Sequence, residues 1–272
     1  MELETLSLAV TDGVATVTLT RGAQLNTMNA AFWTDMPKVF AAIDADPTVR
    51  AVVIASTGKH FTAGLDLGWA GQSLMGSDVD AGRAREAFRR HVHTLQETFS
   101  VVDRCRVPVI ACIQGGCIGG GVDFVTACDL RVGTADCFFT VQEINLAIVA
   151  DVGTLQRIPH LLPQGLIREL AYTGRRFGAA EAKHWGFLNR VEADHATALA
   201  SAHALAVEIA AKSPLAITGI KAVLNHGRDA TIAQGLDYVA TWNAGMLQGS
   251  DLREAMRAQM AKATPAFADL VT

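Results

Sequence analysis

One stretch limits the fold more than any other: an apolar run that breaks into glycines. Val107 to Ile113 (VPVIACI) reads as a buried strand, and Gly115, Gly116, Gly119, Gly120 and Gly121 follow it. A helix-compatible segment comes next, with Asp123 in its first turn. Glu143 and Asp151 then stand among Ile, Leu, Ala and Val. Glycine lets a backbone approach a ligand closely, and a helix start offers free N–H groups and the positive end of a dipole. Carboxylates in apolar surroundings are costly to ionise and are seldom kept there without a use. Free N–H groups beside such carboxylates point to proton transfer next to a developing oxyanion.

The flanking chain reads as strands and helices. Thr5 to Thr11 and Val14 to Leu19 around Asp12-Gly13 carry a hairpin signature. Asn29 to Ala45 has Phe32, Met36, Val39, Phe40 and Ile43 at helical spacing and stops before Pro47. Ala51 to Ala55 (AVVIA) predicts a strand buried on both faces, leading into the glycine-bearing loop Gly58 to Leu67. Residues 71 to 82 are small and polar and read as a mobile surface loop. Arg83 to Arg104 reads as one long amphipathic helix. After the glycines come strands over Leu130 to Val132 and Phe138 to Val141. Residues 164 to 261 are alanine-rich and read as almost wholly helical, with Gly174, Gly186, Gly227 and Gly235 as candidate breaks. The fold class is α/β with a helical tail.

Composition excludes several functions. Half of the 272 residues are hydrophobic and 18% are charged, which describes a globular chain. A formal net charge of −4 opposes nucleic-acid binding. Cys105, Cys112, Cys117, Cys128 and Cys137 lack zinc-site spacing and read as buried thiols, so no metal is expected. No apolar run approaches the roughly 20 residues that a membrane helix needs. The acidic N-terminus reads as strands, not a signal or transit peptide, and a cytoplasmic location is expected.

Each carboxylate also has a plainer reading. Asp123 suits a first-turn dipole partner, Glu143 a strand-end surface residue, and Asp151 an N-cap for the helix after it. Asp66 reads as a cap for a helix starting at Leu67. His60 and His184 read as structural, and His91 and His93 as a solvated face. There is no GxSxG elbow, no GxGxxG after the first strand and no GxxxxGK[ST].

The FTAGLDL loop, the GGCIGGGVD turn and the VQEINLAIVADVGTLQR segment resemble the crotonase (enoyl-CoA hydratase/isomerase) superfamily. Within it they are most similar to the Δ3,5-Δ2,4-dienoyl-CoA isomerases, as are LQETFSVVDRC, SPLAITGIKAVLNHGRD and YVATWNAGMLQGSDL. The resemblance implies a crotonase-like fold of repeated β-β-α units, with a core and active site over 1–195. It implies a helical C-terminal region over 196–272 used in trimerisation, and a homo-oligomer that is a trimer or a dimer of trimers. It implies an acyl-CoA substrate of fatty-acid β-oxidation, with coenzyme A part of the substrate and no separate cofactor. It places the oxyanion-hole N–H groups at Leu65 and Gly120, and the substrate and coenzyme A loop at Ala63, Gly64, Leu65, Asp66 and Leu67, with Gly120. It makes Asp123, Glu143 and Asp151 the catalytic trio. Asp123 stands where hydratases have glutamate, and Asp151 where they usually have glycine. The family's Arg-Pro near the first crossover is Arg21-Gly22 here.

The implied reaction converts a 3,5-dienoyl-CoA to the 2,4-dienoyl-CoA, with Glu143 at C2, Asp151 at C6 and Asp123 tuning Glu143. An enoyl-CoA hydratase that uses Asp123 and Glu143 to hold water is the alternative, and leaves Asp151 unexplained. A non-catalytic acyl-CoA-binding protein is a further alternative, opposed by the intact carboxylates.

Overall fold

A computed structural model of the chain describes residues 2–74 and 80–271. β1 (Leu6–Thr11) and β2 (Val14–Leu19) form the expected hairpin, with Thr11 opposite Val14 and Leu6 opposite Leu19. Asp12 and Gly13 turn the corner with φ of 50° and 77°, as a tight hairpin demands. α1 (Ala30–Ala45) starts at Asn29, whose side chain accepts from Phe32 N at 3.2 Å. That bond satisfies one of the donors a helix start leaves free. β3 (Ala51–Ser56) follows, buried at every residue.

α2 (Leu67–Leu74) and α3 (Ala81–Arg104) correct the expected 71–82 loop at both its ends. The loop expectation for 75–79 falls outside the described residues. Asp66 caps α2 as expected, accepting from Gly68 N at 3.1 Å and Trp69 N at 3.3 Å. β4 (Val109–Ile113), β5 (Gly116–Ile118) and α4 (Gly120–Thr126) come next. β6 (Leu130–Thr134), β7 (Phe138–Thr140) and α5 (Thr154–Arg157) complete the central stretch. The expected helical tail contains α6 (Gln164–Thr173), α7 (Ala179–His184), α8 (His195–Ala210), α9 (Pro214–Gly227), α10 (Ile232–Met246) and α11 (Ser250–Ala261). It also holds two short strands the composition hides, β8 (Phe177–Gly178) and β9 (Arg190–Glu192). Gly174 and Gly227 end helices, whereas Gly235 lies inside α10.

Six strands make one sheet, in the order β1-β2-β3-β4-β6-β9, parallel except for the hairpin. β5, β7 and β8 make a second sheet. Each strand pair β4-β5 and β6-β7 therefore sends its first member to the large sheet and its second to the small one. That is the repeated β-β-α plan. Side chains alternate across the large sheet: Val52 and Ile54 join one core cluster, Ala51 and Val53 the other. The second face is covered by α8, whose Ala198, Ala202, Ala206 and Ala210 recur every four residues and let the helix lie close. Lys221 of α9 is buried against Asp129 Oδ2 (2.7 Å) and Val107 O (3.0 Å), tying the tail to the base of β4.

Candidate active site

The ends of β3 and β5 deliver two loops to one point. Thr62 N donates to Gly116 O (3.2 Å) and Ile118 N to Thr62 O (3.1 Å), so the loops run side by side. Leu65 pairs with Met28 as a parallel bridge. In that pattern its neighbours make the bonds: Met28 N to Gly64 O at 2.8 Å and Asp66 N to Met28 O at 3.1 Å. Leu65 N–H is therefore turned the other way. Gly120 is the first residue of α4, and its N–H has no acceptor within the helix. Neither N–H donates to an acceptor among the described residues. Gly64 makes this approach possible. Its φ is +83°, and a Cβ there would lie 2.4 Å from Ile118 O.

The two N–H groups border a cavity of about 330 Å³ lined by Trp33, Leu65, Leu95, Ile118, Glu143 and Asp151 among others. Ala63, Leu67 and Gly120 also line it, as expected. Gly64 and Asp66 do not line it. Gly64 lies against Ile118, and Asp66 caps α2 and pairs with Arg21 at 3.6 Å. Trp33, Leu95, Ile118 and Val152 are wall residues that sequence reasoning missed. Their spacing marks them only as core, because a cavity wall and a core share the same apolar period.

Asp123 is fully buried behind Glu143, not in the cavity wall. Its Oδ1 accepts from Thr154 N at 2.5 Å, so it holds the start of α5. The N-cap reading of Asp151 is thereby corrected: Gly153 occupies the cap position, and the free N–H goes to Asp123. Glu143 sits on a 3-10 turn, Gln142–Leu146, not at a strand end. Asp123 Oδ2 and Glu143 Oε2 are both buried without a hydrogen-bond partner among the described residues.

Burial pushes the Asp123 carboxyl up, opposed by its bonds to Thr154 and by the Arg157 charge. Burial also pushes Glu143 up, and the Asp123 charge beside it adds to the effect. Asp151, at the rim, is raised by partial desolvation, with His91 opposing. Like-charge repulsion favours one carboxyl holding a proton while a neighbour is ionised, the condition that acid–base exchange needs.

The buried pair has a consequence for stability. A carboxyl raised in the folded state stabilises fully below its unfolded value, about 3.9 for Asp, and loses that contribution as pH rises through the folded value. Asp123→Asn keeps an acceptor for Thr154 N and cannot ionise. Its melting temperature relative to wild type is expected to be more favourable at pH 8 than at pH 5. A difference that does not change between those two pH values in thermal melts would contradict an ionising, buried Asp123.

The profile of the family described as Enoyl-CoA hydratase/isomerase matches residues 9–270. The chain belongs to the enoyl-CoA hydratase/isomerase family. It is 43% identical over 254 residues to the peroxisomal Δ3,5-Δ2,4-dienoyl-CoA isomerase of Arabidopsis thaliana, covering 93% of this chain and 91% of that protein. It is 46% identical over 257 residues to the mitochondrial Δ3,5-Δ2,4-dienoyl-CoA isomerase of Homo sapiens, covering 93% and 78%. The crystal structure of an enoyl-CoA hydratase from Bacillus anthracis superposes with a TM-score of 0.87 at 28% identity, covering 97% of this chain and 99% of that one. The crotonase-like fold expected from the sequence is therefore the fold of this family member. The expected cytoplasmic location is corrected: these isomerases are named for peroxisomes and mitochondria. No helix among the described residues is long and apolar enough to cross a membrane.

Proposed function

We propose that this family member isomerises a 3,5-dienoyl-CoA to the 2,4-dienoyl-CoA, a step suited to fatty-acid β-oxidation. The observation that carries the reading is Asp151, which lines the same apolar cavity as Glu143 and the two free N–H groups. Addition of water across C2=C3 needs only one carboxylate pair, holding the water that gives its hydroxyl to C3 and a proton to the adjacent C2. Moving a double-bond system needs a proton removed at one carbon and returned at another, so a further carboxylate has work to do.

Glu143 takes a proton from C2, and the electron pair moves onto the thioester oxygen. The N–H groups of Leu65 and Gly120 stabilise that oxygen. Charge in the dienolate reaches C6, four bonds away, where Asp151 delivers a proton. One proton leaves and one arrives, so the reaction balances without a cofactor. Burial holds Glu143's affinity for protons high and the Asp123 charge adds to it, which makes Glu143 a stronger base than an ordinary carboxylate. The acyl chain lies against Trp33, Leu95, Ile118 and Val152 in this reading.

The test is turnover of a 3,5-dienoyl-CoA, read by diene absorbance, beside hydration of crotonyl-CoA. Diene formation with the larger kcat/KM is expected. Faster hydration would favour the hydratase reading, and neither reaction would favour a binding protein.

The same reading extends to assembly. The tail exposes Ile232 (84%), Leu236 (64%) and Met260 (86%), apolar groups that a neighbouring subunit would cover. A homotrimer or a dimer of trimers is expected by light scattering at micromolar concentration, and a monomer mass would contradict it.

A further inference from the structure

Asp151 lies on an irregular segment between the 3-10 turn at Gln142–Leu146 and α5. Ala150 and Val152 on either side of it are buried, which anchors the chain. Ile148 and Val149 just before them are exposed and Asp151 itself is exposed at the rim, so its exact placement depends on further contacts. Long side chains of α3 hold it from behind. Gln96 Nε2 donates to Asp151 O at 2.7 Å. Gln96 Oε1 is engaged by His93 Nδ1 at 3.0 Å, which sets the amide with its nitrogen toward Asp151. One turn on, Ser100 Oγ accepts from Arg157 Nη2 at 3.1 Å, and Asp103 Oδ2 pairs with Arg157 Nε at 3.4 Å.

Gln96, Ser100 and Asp103 stand at i, i+4 and i+7, one stripe of the helix. Leu95, which lines the substrate cavity, stands beside that stripe. The Arg157 guanidinium lies directly over Gly153: a Cβ at that glycine would meet Nη1 at 1.9 Å. Gly153 has φ +133°, which an L side chain rarely adopts, so this close seat for the arginine requires glycine. The stripe thus grips the segment at Asp151 by Gln96 and at Gly153 by Arg157.

We propose that Gln96 is a positioning residue for proton delivery at C6, fixing Asp151 relative to Glu143 through the Asp151 carbonyl. The inference rests on the reading of Asp151 given above. Glu143 and the oxyanion N–H groups are held by other elements: the turn after β7, the start of α4, and the loop after β3 where Leu65 bridges to Met28. Loosening Asp151 therefore affects one half-reaction and spares the other. A displacement on the order of 1 Å of a reacting group is enough to matter.

Two variants test this. Gln96→Leu removes the donor, and Gln96→Glu keeps the shape while turning an oxygen toward the carbonyl. Each is assayed for deuterium exchange at C2 of a 3,5-dienoyl-CoA, for diene formation and for KM. Diene formation is expected to fall about tenfold, with C2 exchange and KM within about two-fold of wild type. A parallel fall in exchange and isomerisation, or no fall in either, overturns the proposal. A drop in melting temperature with an unchanged ratio of the two rates also overturns it, because a merely structural bond does not alter that ratio. Asp151→Asn run alongside keeps the two ideas apart. If it isomerises like wild type, the role of Asp151 fails. If it loses isomerisation alone while the Gln96 variants keep the wild-type ratio, only the positioning role fails.

Discussion

In Asp151→Asn, formation of the 2,4-diene is expected to fall by about 10²–10⁴-fold, the range for losing a positioned acid–base group, while exchange at C2 persists. Asparagine keeps the size of the side chain, but its amide protons are far too weakly acidic to be delivered at C6. The dienolate still forms, because Glu143 and the two N–H groups are untouched, and it collapses back by taking a proton at C2. Glu143→Gln is expected to lose exchange and isomerisation together, because no dienolate forms. Mass spectrometry of substrate recovered from deuterated buffer and the diene absorbance read the two steps separately. Wild-type isomerisation by Asp151→Asn would leave the hydratase reading ahead. Loss of exchange in Asp151→Asn with retention in Glu143→Gln would reverse the assignment of C2 and C6.

The second large effect concerns the oxyanion N–H of Gly120. Gly120→Pro removes it at the first position of α4, where a helix accepts proline because no intrahelical bond is lost. Its control is Gly120→Ala, which keeps the N–H. In both variants a Cβ meets Met28 Sδ at 3.0 Å, the flexible end of a side chain that can give. The proline variant is expected to lose about 10²–10³-fold in kcat beyond the alanine variant, the scale of one oxyanion donor. Circular dichroism must match wild type in both. Equal rates for the two folded variants would remove Gly120 from the oxyanion hole.

Local signals made much of this legible in the sequence. Asp12-Gly13 fixed the hairpin through positive φ at both residues, and Asn29 and Asp66 fixed the starts of α1 and α2, each through a bond made within three residues. The short apolar run Ala51 to Ala55 announced a buried strand, and the structure places Val52 and Ile54 in one core cluster and Ala51 and Val53 in the other. β5 was not legible, because three residues among glycines carry no strand period; its pairing with β7 across the small sheet makes it a strand. β8 and β9 are too short to show against an alanine-rich background. The trio was legible as residues but not as an arrangement. Nothing near Asp123 in sequence says that its oxygen takes the N–H of Thr154, 31 positions away, and so displaces Asp151 from the cap. Gln96 and Arg157 lie in segments that carry the family resemblance, but their roles carried no signal, since their partners are set only when α3 meets the active-site segment.

The central claim is a proton taken at C2 and another returned at C6, and the position of solvent label in the wild-type product tests it most directly. A 3,5-dienoyl-CoA is converted in deuterated buffer and the product is examined by nuclear magnetic resonance. Asp151 is exposed at the cavity rim and exchanges with solvent, so the account predicts a 2,4-dienoyl-CoA carrying deuterium at C6. Deuterium at C4 of a 2,5-dienoyl product, or a hydroxyl added at C3, would contradict it.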